Sequence, residues 1–299
     1  MKILIVGSGG VGGYLGAVLH RNGHDVTFIA RGKHLEAIRT GGLQIESVAS
    51  GNFIICPTVL KKADASCEAD LILFCVKGYD NPGAVEAMSS AVGEGTTIIT
   101  LQNGIGSGDE LAGAFGCQKV LVGAAYIGVA VKMPGTVVEL GGEIRIVSGE
   151  SDGLETPRVQ KIRDAMVDVG VDFVVSPRVD VDIWSKFLFI CALSGMMCIT
   201  GGTLVEVLDT METSILTRRV LSEGEEVARA KDIGLPVDVV GDLMLSLEDG
   251  KQTSMSSMQV DLKNGKPLEL DVLNGAIVRM GKELGVETPI NEFITPCLT

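Results

Sequence analysis

"KILIVGSGGVGGYLGAVL", residues 2–19, decides the fold of this chain. A β-branched apolar run stops at Gly7, and within a few residues a stretch of helical character begins. Between them Gly7, Gly9 and Gly12 stand in G-x-G-x-x-G spacing. Gly7 permits the tight turn, Gly9 lets a pyrophosphate approach the backbone, and Gly12 lets the helix lie against the strand. The helix N-terminus then offers its unpaired N–H groups to the anion. A glycine triplet alone is a weak signal. With a strand before it and a helix after it, it reads as a dinucleotide loop, with Gly7, Ser8, Gly9, Gly10, Val11 and Gly12 against the cofactor.

Working outward, "DVTFIA" (25–30), "ADLILFCVK" (69–77), "TTIITLQN" (96–103) and "KVLVGAAYIGVAV" (119–131) read as further strands. Continuous apolar runs suit strands covered on both faces, hence a doubly wound parallel sheet with helical crossovers. "TVVEL" and "EIRIVSG", separated by Gly141 and Gly142, predict an antiparallel hairpin added to that sheet. After "PRVQKIRDAMVDVG" one strand is left, "VDFVVS" (171–176). Beyond it only helix-length periodicity appears, over residues 182–200, 209–232, 237–248, 253–263 and 269–284. The fold class is α/β: a Rossmann-type domain over 1–177 and an all-helical domain over 178–299, the composition shifting near 176–180.

A formal charge of −13 and a pI near 4.7 repel phosphate backbones and anionic lipid, which disfavours nucleic acid and membrane surfaces as partners. Seven cysteines, odd in number and without a C-x-x-C pair, read as buried thiols of a reducing cytoplasm. The uncharged run after Lys2 is broken by glycines and is no signal peptide. Phe187–Val205 is nearly long enough for a bilayer span, but Gly201, Gly202 and several hydroxyls mark it as a core helix. The long helical domain offers surface for a homodimer.

At the end of the second strand, where an acidic residue would select NAD, the chain has "IARGKH". Arg31, with Lys33 close behind, favours the 2′-phosphate of NADP(H). Lys77 and the group Gln102, Asn103, Gly104 and Gly106 lie at further strand ends, where ligands bind in this architecture. His20 and His24 are separated by the helix-stopping Gly23 and have no third ligand nearby, so no metal is expected. In "DIWSKFLFICALSG" (182–195), Lys186 heads an apolar run; an isolated lysine there would snorkel, its stem on apolar surface and its amine in water.

"GSGGVGGYLGA", the "AR" after the second strand, "VK" at 76–77, "QNGIG" at 102–106, "WSK" at 184–186 and "SSMQVDLKNGKPLELDVLNG" at 256–275 together resemble the ketopantoate reductase family, in order and over nearly the whole chain. The resemblance implies a Rossmann domain followed by a helical domain like that of 6-phosphogluconate dehydrogenase. It implies hydride transfer from NADPH to the keto carbon of 2-dehydropantoate, giving pantoate for pantothenate synthesis. By motif, Lys186 matches the general acid, Glu269 a catalytic glutamate against substrate and cofactor, Ser257 a substrate-contacting serine, and Asn103 the asparagine near nicotinamide and substrate. Arg31 and Lys77 match contacts to the cofactor phosphate.

The chain departs from the family where asparagines follow the lysine at i+4 and i+8. Here stand Ile190 and Ser194, the latter a shorter substrate-binding hydroxyl. The carboxylate, ketone and hydroxyl of 2-dehydropantoate then lack two amides, each unmet group costing about 1–3 kcal/mol. Ser256, Thr200 or Asn274 could supply donors. Otherwise the substrate is a more apolar 2-oxo acid, or the protein is a non-catalytic NADP(H)-binding sensor.

Overall fold

The computed structural model describes residues 1–250 and 254–299. They form two compact units, Met1–Gln102 with Ser107–Val179, and Asn103–Gly106 with Asp180–Thr299.

The first unit is built on one sheet of β1 (Lys2–Val6), β2 (Asp25–Ile29), β3 (Leu43–Ser47), β4 (Phe53–Ile55), β5 (Thr58–Leu60), β6 (Leu71–Phe74), β7 (Thr97–Thr100), β8 (Val120–Met133), β9 (Thr136–Gly149) and β10 (Asp172–Val175). Their order is β4-β3-β9-β8-β7-β6-β1-β2-β5, with β10 beside β9. From β8 to β5 all neighbours are parallel. The helices of this unit are α1 (Gly10–Arg21), α2 (Gly32–Gly41), α3 (Asn81–Met88), α4 (Ser107–Phe115) and α5 (Pro157–Val167).

Strand β1 explains why its sequence shows no alternation. Ile3 and Ile5 join one core with Tyr14, Leu15 and Val18 of α1, while Leu4 and Val6 join another with Ala84 and Met88 of α3 and Leu111 of α4. Both faces are covered from Ile3 to Val6, so each of these four residues is apolar.

The sheet differs from the expected one on its other side. It is mixed, because β3–β4 and β8–β9 are antiparallel. "TVVEL" and "EIRIVSG" are not two arms of a hairpin but one strand, β9, paired with β8; the turn falls at residues 134–135. Gly141 and Gly142, at φ +86° and +89°, form a bulge instead, across which pairing shifts from Ile127↔Ile144 to Val129↔Glu139. Consecutive glycines signal positive φ, and a bulge uses that as readily as a turn does. Beside the bulge the buried Glu139 carboxylate accepts from Ser47 Oγ (2.7 Å), Ala49 N (2.9 Å) and Gly141 N. Burial would raise its pKa, but these donors bring it below the ordinary value.

The second unit packs α7 (Leu204–Asp209), α8 (Met211–Ala230), α9 (Val239–Asp249), α10 (Ser257–Lys263), α11 (Asn274–Leu284) and α12 (Pro289–Cys297) with α6 (Val179–Thr200). Helix α6 is long and apolar enough to cross a bilayer, yet Trp184, Phe187, Leu188, Cys191, Ala192 and Met196 are buried in this unit's core. A Cβ on Gly224 of α8 would overlap Leu188, so the two helices approach closely. A buried chain of polar groups ties the unit together. Glu223 of α8 accepts from Ile290 N (2.8 Å), Asn291 N (3.0 Å) and Asn291 Nδ2 (2.7 Å), a carboxylate at the N-terminus of α12. Asn274 Nδ2 donates to Asn291 Oδ1 (2.9 Å) and to Cys191 O (3.2 Å).

Three further expectations change. The helix expected over 269–284 begins only at Asn274, after a single 3-10 turn at Leu270–Val272. The one expected over 253–263 begins at Ser257, residue 253 lying outside the described residues. All seven cysteines are free thiols, but Cys56, Cys117 and Cys297 are exposed rather than buried, since they sit at element ends instead of inside apolar runs.

Candidate active site

In the first unit, β6, β1 and β2 lie side by side and end together. Their carboxyl ends bring together the glycine loop after β1, Arg31 after β2 and Lys77 after β6. Gly7, at φ +95°, turns the chain out of β1, and a Cβ there would lie 2.8 Å from Val76 N. A Cβ on Gly12 would overlap the Gly7 carbonyl oxygen and come within 2.9 Å of Ile5 Cγ2, so α1 sits directly on the strand. Gly9, by contrast, has nothing within 4 Å of where a Cβ would be. It caps α1 without a side-chain bond, and no acidic residue lies in the first turn. An open face over unpaired N–H groups suits a pyrophosphate.

The surroundings of this loop are more fully bonded than the sequence suggests. Arg31 caps α2 with its side chain 73% exposed and forms an ion pair with Asp80, whose carboxylate is 21% exposed. Lys77 is half-buried and precedes the single 3-10 turn Gly78–Asp80. His34 of α2 reaches Ser8 O through Nε2 (2.7 Å), while its Nδ1 accepts from Gly135 N (3.1 Å). Burial lowers its pKa. The Cys75 thiol behind the loop is pushed up to about 12 by burial and stays protonated. Gln102 is a brace: its Nε2 donates to Val76 O (2.8 Å) and Asn81 Oδ1 (2.7 Å). Neither Asp80 nor His34 stands out in sequence, although a histidine three residues beyond Arg31 was the available signal.

The second unit holds Asn103, Lys186, Ser194, Ser257 and Glu269. Asn103 belongs here because the Asn103–Gly106 segment is pinned to it. Ile105 N donates to Val272 O (3.3 Å), Ile105 packs on the helical core, and a Cβ on Gly104 would overlap the Val272 carbonyl. Val272 is three residues from Glu269, so the loop and the glutamate segment are brought together. Glu269 is 8% exposed, not the solvated charge that a lone glutamate suggests.

Lys186 lies on the first half of α6, half-buried, and burial lowers its pKa to about 8. At 1.5 Å per residue, Ile190 is about 6 Å and Ser194 about 12 Å further along that helix. Ser194 is 2% exposed, and Ile190 is half-buried. Ser257 is exposed at the start of α10, which Gln259 fastens to α6 at Met197 O (3.0 Å) and to the stretch just after it at Gly202 O (2.9 Å). Of the substitute donors, Asn274 is ruled out, because both its N–H groups are spent on Cys191 O and Asn291 Oδ1 inside the core. Ser256 accepts from Gln259 N as the cap of α10, and Thr200 Oγ1 donates to Met196 O (2.8 Å).

The family model described as "Ketopantoate reductase PanE/ApbA" matches residues 3–153, and "Ketopantoate reductase PanE/ApbA C terminal" matches residues 178–299. Among curated proteins, an uncharacterized oxidoreductase YkpB of Bacillus subtilis is 30% identical over 302 residues, covering 98% of this chain and 96% of its own. A 2-dehydropantoate 2-reductase of Pyrococcus abyssi is 30% identical, covering 97% of this chain and 94% of its own. Among solved structures, a PanE/ApbA family ketopantoate reductase of Ralstonia eutropha JMP134 superposes with a TM-score of 0.90 at 31% identity, covering 100% of this chain and 97% of its own.

Proposed function

Because the chain belongs to the ketopantoate reductase family, whose members are NADP-dependent oxidoreductases, we propose that it reduces 2-dehydropantoate to pantoate with Lys186 as the general acid. The observation that carries this is the Lys186 ammonium, half-buried in an apolar helix and brought to about 8.

NADPH, when bound, supplies the hydride. In this proposal the α1 N-terminus holds its pyrophosphate, and Arg31 and Lys77 hold the 2′-phosphate. As hydride reaches the ketone carbon, negative charge gathers on the oxygen, and the ammonium stabilises it before giving up a proton. Lys186 becomes a neutral amine and regains its proton from water. A pKa of about 8 serves both halves of that task, since the group is roughly nine-tenths protonated at pH 7 yet donates far more readily than an ordinary lysine. Glu269 is the acceptor for a substrate hydroxyl, while Asn103, Ser194 and Ser257 donate to the carboxylate.

The test is loss of nicotinamide absorbance on mixing protein, NADPH and a panel of branched 2-oxo acids. Turnover of 2-dehydropantoate and its loss by about 10²–10⁴ in Lys186→Ala are expected. NADPH binding without turnover of any acid would refute the enzymatic reading and leave a sensor. Ile190 supports a second reading, in which the acid is more apolar. Comparing 2-dehydropantoate with 3,3-dimethyl-2-oxobutanoate, the same acid without its hydroxyl, separates the two. A pocket that pairs the hydroxyl disfavours the deoxy acid by at least about 10², and an apolar one does not.

A further inference from the structure

We propose that His34 is a positioning residue for the cofactor, aiming the Gly9 amide at the pyrophosphate by holding the Ser8 carbonyl. The inference rests on the reading of the glycine loop as the cofactor site, and it deepens that reading.

The hydrogen bonds fix the state of the imidazole. Gly135 N–H donates to Nδ1, so Nδ1 carries a lone pair and the proton sits on Nε2, which donates to Ser8 O at 2.7 Å. The Ser8–Gly9 peptide is planar and trans, so its C=O and N–H point in opposite directions. A carbonyl held towards His34 therefore turns the Gly9 N–H away from it. Gly9 is also the residue of the loop with open space where a side chain would be. Ser8 itself is buried, and Gly9 caps α1 without help from any side chain. His34 thus joins three separate elements at the loop: α2, the β1–α1 turn and the β8–β9 turn.

Only the neutral ring bonds both partners, because the charged ring keeps its Nε2–H bond to Ser8 O but loses its anchor on Gly135. Protonation puts an N–H on Nδ1 facing the N–H of Gly135, and two donors cannot bond each other. Neither the glycine loop nor residues 134–135 of the β8–β9 turn contains an ionisable side chain. The charges closest in sequence are Arg31, Lys33 and Glu36 around His34 itself and Lys132 before the turn, the last paired with Glu46 at 2.7 Å. Burial lowers the ring's pKa, outweighing the bond to Ser8 O, which raises it, and so favours the neutral form.

The test compares wild type, His34→Ala and His34→Gln by NADPH fluorescence titration and by steady-state kinetics from pH 7 to pH 5. Losing the bond to Ser8 raises Kd and KM for NADPH about tenfold, with the effect in KM rather than kcat. Gln keeps an N–H donor of similar reach, so His34→Gln recovers most of that loss. It cannot titrate, so it also lacks the extra weakening that wild type shows towards pH 5. The 2′-phosphate, with a second pKa near 6, titrates equally in both proteins and cancels in the comparison. Affinity within twofold of wild type in His34→Ala, or the same acid-side loss in His34→Gln, would overturn the proposal. Should His34→Ala not fold, the pH profile of His34→Gln decides alone. Failure of wild type to bind NADPH would instead refute the loop as the cofactor site.

Discussion

Replacing Lys186 with Met should stabilise the protein while abolishing its activity. An ordinary lysine titrates near 10.5, and burial brings Lys186 to about 8, a difference of roughly 3 kcal/mol. The sign follows from the two states. Below pH 8 the folded and unfolded chains both carry the proton, and the folded one bears the full cost of a desolvated charge. Between 8 and 10.5 the folded chain sheds the proton first, the unfolded state binds more protons, and stability rises with pH. Methionine keeps the packing of the stem but has no charge to desolvate. Lys186 has an interaction partner that the substitution abandons, so the net gain at pH 7 is about 1–2 kcal/mol, or several degrees in Tm. Thermal melts of both proteins at pH 7 and pH 9.5 measure it, with NADPH turnover of 2-dehydropantoate alongside. The gap between the two melting curves should close as pH rises. A Met variant that melts lower than wild type at pH 7, with a gap that does not change by pH 9.5, would refute the claim that Lys186 is held against its desolvation cost.

Four other outcomes follow from named contacts. Arg31→Ala should raise KM for NADPH by about 10–100-fold and leave KM for NADH nearly unchanged, whereas Asp80→Asn, by removing the carboxylate paired with Arg31, should improve NADPH binding about threefold. Steady-state kinetics with both cofactors reads each. Gly104→Ala places a methyl group on the Val272 carbonyl and should cost about 1–3 kcal/mol, seen as a lower denaturation midpoint. Glu223→Ala leaves Ile290 N, Asn291 N and Asn291 Nδ2 without their acceptor and should cost at least about 2 kcal/mol in the same assay, with NADPH affinity unchanged.

What could be read from the sequence was what one element determines by itself. The glycine loop is legible because strand end, turn and helix start are contiguous and each glycine answers a local steric demand. Strands β1 and β6 are legible because burial on both faces leaves unbroken apolar runs, and β2, β7 and β8 because their buried positions carry β-branched and other apolar residues. The short strands β3, β4 and β5 are not: "LQIES", "FII" and "TVL" owe their conformation to the strands they pair with. The Asn103–Gly106 excursion into the second unit was equally invisible. Its composition is that of any turn, and only the bond to Val272 O and the packing of Ile105 reveal where it belongs. Gly141 and Gly142 are ambiguous in sequence for a related reason, since positive φ is a local property and the choice between turn and bulge depends on the partner strand.

Buried polar residues break the same local rules as functional ones, and the nature of their partners separates the two kinds. The Glu139 carboxylate, the Glu223 carboxylate and the Asn274 amide bond mostly backbone or other buried polar groups, and each joins elements that would otherwise leave N–H or C=O groups unmatched. Gln102 does the same between the ends of β6 and β7. The carboxylates and Gln102 have their cost offset where they stand, so they account for stability and need no ligand, whereas the Asn274 amide is satisfied only through its Nδ2, its Oδ1 being buried without a partner. Arg31 is different: it is largely exposed at a strand end, and its partner is a single carboxylate on a neighbouring loop. Lys186 is different again, because burial moves its proton affinity towards neutral pH, which suits the acid role proposed for it. His34 falls between the two kinds. Its bonds are to backbone, as in a brace, but the carbonyl it holds belongs to the one turn whose opposite face is open.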